Sequence, residues 1–160
     1  MKTTLLLLML LFSVNSLACE KIKLAHKNLV AMNFSLQKSF QLTMDGEKKI
    51  ALTNIVEVEN KQLRHIDERV LFQAPDFKYD EDDKEPFLLA NFDCKDIKIH
   101  DDKVVINFNN DNKHYEIEYL YQAKKQLLIP VKAIISGKVS LFFATWLIKS
   151  TANYSHFISK

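Results

Sequence analysis

The stretch FSLQKSFQLTM, residues 34–44, alternates apolar and polar side chains almost without fault. Phe34, Leu36, Phe40, Leu42 and Met44 fall on one face, and Ser35, Gln37, Ser39, Gln41 and Thr43 on the other. A period of two is the period of a β-strand. One apolar and one wet face is the pattern of an antiparallel sheet that packs something on a single side. Only Lys38 interrupts the apolar face.

The neighbouring residues extend this into a hairpin. Asp45-Gly46 is a turn signal. The following run, KKIALTNIVEVE, places Ile50, Leu52, Val56 and Val58 on one face with Asn54 among them. Even-numbered residues of both strands share a face only if the loop is odd, so a three-residue loop with a left-handed Gly46 is expected. Centring it on Asp45 sets Lys38 opposite Leu52, and centring it on Gly46 sets Lys38 opposite Asn54. Both registers fit the sequence.

Before this hairpin, Ile22, Ala25, Leu29 and Met32 are spaced for a helix that ends near Asn33. After it, NKQLRHIDERVLFQAP (60–75) reads as a second helix near 61–73. Leu63, Ile66, Val70 and Leu71 fit helical spacing, Asn60 is placed to cap and Pro75 follows the end. As a regular strand, this run would send Leu63 and Val70 to opposite faces. The stretch 76–86, DFKYDEDDKEP, holds six acids and two lysines and reads as a solvated loop. It lacks the glycine and the ligand spacing of a calcium loop.

From residue 87 the pattern is an antiparallel meander. An Asp101-Asp102 turn sets Ile99 against Val104 and Ile97 against Ile106. A four-residue loop within NNDNK, 109–113, sets Phe108 beside Tyr115, Ile106 beside Ile117 and Val104 beside Tyr119. A third turn at QAK leads into a strand whose Pro130 implies an edge or a bulge. Ser136-Gly137-Lys138 reads as a fourth turn. VSLFFATWLI, 139–148, is apolar on both sides and suits a central strand or a short buried helix. The fold class is therefore α+β: a predominantly antiparallel meander with an N-terminal helix and a second helix near 61–73.

The N-terminus carries an export pattern. Lys2 precedes an uncharged apolar run, Leu5–Phe12, and Ser16 and Ala18 stand at −3 and −1 of a small-residue cleavage site. Residues 1–18 are expected to be a signal peptide and 19–160 a single domain in the periplasm or secreted. Losing Lys2 takes the formal net charge from +2 to +1. That balance argues against nucleic acid as a partner. The mature chain has no transmembrane candidate, since a span needs about 20 apolar residues.

Cys19 and Cys94 are the two cysteines. In an oxidising compartment they are expected to pair. The competing expectation is a lipid anchor on Cys19, for which Ser16 at −3 is a poor match. Asn33-Phe34-Ser35 and Asn153-Tyr154-Ser155 match the glycosylation acceptor pattern, which carries weight only in a eukaryotic secretory pathway.

No stretch names a reaction. Two glycines in 160 residues leave little for a phosphate-cradling loop. The five histidines show no i,i+4 pair and no zinc spacing with a cysteine, so neither a metal nor a cofactor is expected. The residues that stand out are aromatic. Tyr115, Tyr119 and Tyr121 share a strand face, and Phe142, Phe143 and Trp146 follow. They read first as core, and otherwise as the wall of a pocket or partner surface in which Lys38 and Asn54 are the orienting polar groups. The leading expectation is an exported non-catalytic binding protein, of inhibitor or immunity type, whose partner is another protein. The alternative is a carrier of a small apolar ligand or lipid, with a cavity lined by Phe34, Phe40, Ile50, Val104, Tyr115 and Tyr119. A third is an enzyme with an unrecognised site.

Overall fold

The computed structural model describes residues 2–78, 85–89, 91–110, 112–141 and 144–160, and their side chains except in 2–16, 89 and 141. A helix, α1 (Lys2–Ala31), leads into β1 (Phe34–Met44), β2 (Glu47–Glu59) and β3 (Gln62–Gln73). A connection carrying the short helix α2 (Pro86–Leu89) then leads to β4 (Ile97–His100), β5 (Lys103–Asn110), β6 (Lys113–Gln122), β7 (Leu127–Leu141) and β8 (Ala144–Ser159). The eight strands form one antiparallel sheet in the order β3-β2-β1-β8-β7-β6-β5-β4. Two meanders are thus joined where β8 inserts beside β1, and β3 and β4 are the edges.

The expected strand 34–44 is β1. Its register sets Lys38 opposite Asn54. The turn differs from the expected three-residue loop. Met44 pairs Glu47, so Asp45 and Gly46 alone make the turn, both at positive φ (50° and 84°). A bulge at Lys49 then supplies the extra residue, because Thr43 faces Lys48 while Leu42 faces Ile50. Two left-handed residues match the twist of the flanking strands, and the bulge restores the shared apolar face.

The segment near 61–73 is a strand, not the expected helix, and the second helix lies at 86–89. Thr53 pairs Arg69 but Ile55 pairs Ile66, so β3 carries one residue more than β2 there, beside Asp67 at φ 53°. That bulge flips the parity of the strand. Leu63 and Val70 therefore lie on the same face despite their odd separation. A bulged edge strand imitates helical spacing.

The expected pairings of 97–106 and 104–119 are those observed, with Phe108 and Tyr115 stacked at 4.8 Å between ring centroids, but the ladder continues to Asn110 opposite Lys113, so the connection is two residues and not the expected four. Pro130 sits at a bulge, where Glu118 pairs Lys132 and Tyr119 pairs Pro130. Ser136-Gly137-Lys138 is not a turn but the interior of β7. The segment 139–148 is neither one strand nor a helix: β7 ends at Leu141, β8 begins at Ala144, and these two residues pair. Phe142 and Phe143 lie outside the described residues, as do residues 79–84 of the acidic stretch.

The core lies between α1 and one face of the sheet. Ile22, Ala25 and Leu29 of the helix pack with Phe34, Leu36, Val56, Val104, Ile106 and Ile117. Phe87 of α2 completes the layer, with its ring edge-on to Tyr154 (5.1 Å). A disulfide joins Cys19 to Cys94 with their Cα atoms 5.5 Å apart, tying α1 to the turn before β4. The Cys19 sulfur is therefore not available for a thioether-linked lipid.

Candidate functional site

Helix α1 and α2 cover only part of the sheet's apolar face. Beyond them, three cross-strand rows remain: Phe40 beside Ala152 and Ala133, Leu42 beside Ser150 and Ile135, and Met44 beside Ile148 and Gly137. The middle strands contribute Ala, Ser and Gly where the rest of this face carries Phe, Leu and Ile. Small side chains between large ones leave a trough. The resulting cleft has a volume of about 420 Å³, within the range of small-ligand sites. Phe40, Leu42, Ile135 and Ile148 form its apolar walls.

One end of the cleft is closed by charge. Lys38 and Tyr154 face each other across β1 and β8, and Glu85 descends onto them from the connection before α2. Lys38 Nζ donates to Glu85 Oε1 (2.6 Å) and the Tyr154 hydroxyl donates to Oε2 (2.7 Å). The Glu85 side chain is fully buried and that of Lys38 is 7% exposed. His65 brings its Nε2 to 3.8 Å from the same Oε1, while Asn54 Nδ2 donates to His65 Nδ1 (3.1 Å). A buried carboxylate needs such partners, because desolvation without them would neutralise it. Lys38 Nζ also lies 5.3 Å from the centroid of Phe40, a cation–π contact that binds the charged end to the apolar wall.

The phenols next to this cluster are hard to ionise. Burial, then the Glu85 charge and its hydrogen bond, push Tyr154 well above the usual tyrosine range. Burial alone raises Tyr119. Its hydroxyl donates to Phe87 O (3.2 Å), which also accepts from His26 Nε2 (2.8 Å). Burial holds the His26 pKa below its ordinary value, opposed by that backbone hydrogen bond. With both Glu85 oxygens engaged, the cluster is suited to fixing the start of α2 on the sheet and presenting a neutralised polar surface.

Lys38 and Asn54, the polar intruders on the apolar face, are thus brought together in one buried network. Tyr115 and Tyr119 lie in the core, and Tyr121 packs on its border. Trp146 is half-exposed on β8, opposite Val139 at the cleft. Of the six residues expected to line a cavity, only Phe40 does so; the other five are buried. Glu85, Tyr154 and His65 escaped the sequence reading. A buried lysine calls for an anion, but six acids in one loop gave no means of choosing Glu85. No protein-family model matches this chain, and no curated protein matches it significantly.

Proposed function

We propose that this chain is an exported, non-catalytic binding protein that seats a small apolar molecule in the cleft over β1, β8 and β7. The observation that carries this reading is the trough itself. Ala133, Ala152, Ser150 and Gly137 open about 420 Å³ on the apolar face beyond the two helices. Its walls are apolar and its polar groups gather at the two ends, Lys38, Glu85 and Tyr154 at one and Asn112, Lys113 and Lys138 at the other, a layout that suits a small-molecule site. Export is supported by the N-terminal pattern and by the disulfide, which suits an oxidising compartment. It also fits the exposure of Leu17, just before the expected cleavage site, and the burial of Cys19 just after it.

The test is titration with the neutral fluorophore N-phenyl-1-naphthylamine. Wild type is expected to bind it and enhance its emission. Ser150→Trp, which fills the floor, is expected to abolish binding while leaving the far-ultraviolet circular dichroism unchanged. Binding that survives Ser150→Trp would remove the cleft from consideration.

A second reading, a protein partner, is favoured by the edge strand. Val70, Leu71 and Phe72 are exposed in succession on β3 (50%, 66% and 43%), beside the open backbone edge of the sheet. An extended segment of a partner could add there as a further strand. Replacing Leu71 with Lys would then release the partner without affecting the fluorophore.

A further inference from the structure

We propose that the cleft selects a single-chain amphipathic anion, held with its head at the open end beside Lys113 and Lys138. This rests on the cleft being a ligand seat and adds the charge and orientation of the occupant. Among the described residues, three lysines and one acid line the cleft: Lys38, Lys113, Lys138 and Glu85. Lys38 and Glu85 neutralise each other at the closed end, and Tyr154 takes the second carboxylate oxygen. Among the described lining residues, the charge left for a ligand is therefore positive and lies at the other end.

The backbone places that charge. Lys113 at the start of β6 pairs Gly137 of β7 on the cleft face, and Lys138, the next residue, starts from the opposite face of the strand and borders the cleft at its rim. A Cβ at position 137 would come 3.3 Å from Lys113 Cγ, so the missing side chain leaves room for the lysine stem to lie over β7. An aliphatic stem on the apolar floor with its ammonium at the water boundary is the ordinary way lysine covers apolar surface. Both lysines are exposed, so an anionic head could reach them without losing all its water. The apolar body would run over Ala133 and Ala152 towards Pro86. A volume of about 420 Å³ sits low in the range for small-ligand sites, which suits one chain better than a two-chain lipid. A cation would meet repulsion at this mouth, and a neutral ligand would gain nothing from it.

The test compares decanoate, decanol and decyltrimethylammonium by calorimetry on the oxidised protein. Decanoate is expected to bind about tenfold more tightly than decanol, the scale of one charge-assisted contact, with the cation weakest. The double variant K113Q/K138Q should bring decanoate down to the level of decanol and leave decanol unchanged. K113E/K138E should reverse the preference towards the cation, a gain that misfolding cannot imitate. Equal binding of decanoate and decanol by wild type, or equal weakening of both by K113Q/K138Q, would overturn the anion preference while leaving the ligand seat in place. Absence of binding by all three, or binding unaffected by Ser150→Trp, would overturn both.

Discussion

Lys38 Nζ lies 2.6 Å from Glu85 Oε1, across a sequence separation of 47 residues, and neither side chain has appreciable contact with water. This pair fixes Glu85, the residue that leads into α2, onto the sheet. It also separates the packed half of the apolar face from the open half.

Breaking the pair from one side should be far worse than removing it whole. Glu85→Leu leaves the lysine buried without its carboxylate and is expected to cost about 3–5 kcal/mol. The double variant Lys38→Met with Glu85→Leu should recover most of that loss. Urea denaturation of the two single variants and the double variant closes the cycle. Additive losses would mean that the pair is not coupled in the folded protein.

Tyr154 should govern part of the alkaline limit. Its folded pKa is raised above the ordinary 10.0, first by burial and then by Glu85. The neutral phenol is thus favoured by folding, and its stabilisation is complete below pH 10 and lost as pH rises through the folded value. Tyr154→Phe is expected to cost about 1–3 kcal/mol near neutrality, because it leaves a buried carboxylate oxygen without its donor. The same variant should lose stability less steeply above pH 10. Tyr119, raised in the same direction, keeps some of the slope in place.

His26 should set an acid-side dependence of the opposite sense. Burial depresses its folded pKa, so the native state favours neutral imidazole donating to Phe87 O. Its stabilisation is present above the ordinary value of 6.5 and is lost as pH falls below that value towards the folded one. Thermal melts of wild type and His26→Gln between about pH 7 and pH 4 test this. The difference in stability between them should shrink as pH falls.

The disulfide closes a loop of 75 residues between Cys19 and Cys94. Chain entropy gives it a stabilisation of about 4 kcal/mol. Cys94→Ser should lower the urea midpoint accordingly. Reduction of wild type with dithiothreitol should do the same, and reduction of Cys94→Ser should do nothing further.

Much of the fold was legible because it is local. The alternation in 34–44 specifies which side chains share a face, and the turns at Asp101-Asp102 and 109–113 specify which residues oppose one another, since a hairpin's register follows from its turn. The N-terminal helix was legible from Ile22, Ala25 and Leu29. The stretch 61–73 misled because a bulge beside Asp67 breaks the period of two that identifies a strand. Gly137 misled because it reads as a turn residue, whereas its lack of a side chain serves the packing of Lys113 in mid-strand.

The sequence by itself determined strands β1, β2, β4, β5 and β6, the face of each that turns inward and the anomaly of Lys38 and Asn54 on that face. These depend on side-chain period and turn chemistry within a few residues. Only the tertiary structure decided that β8 inserts beside β1, that α1 and α2 stop short of the last three rows, and that Glu85 rather than another acid reaches Lys38. Those outcomes depend on contacts between segments tens of residues apart. Their partners are chosen by which surfaces fit once the sheet has curved, and no local spacing encodes that choice.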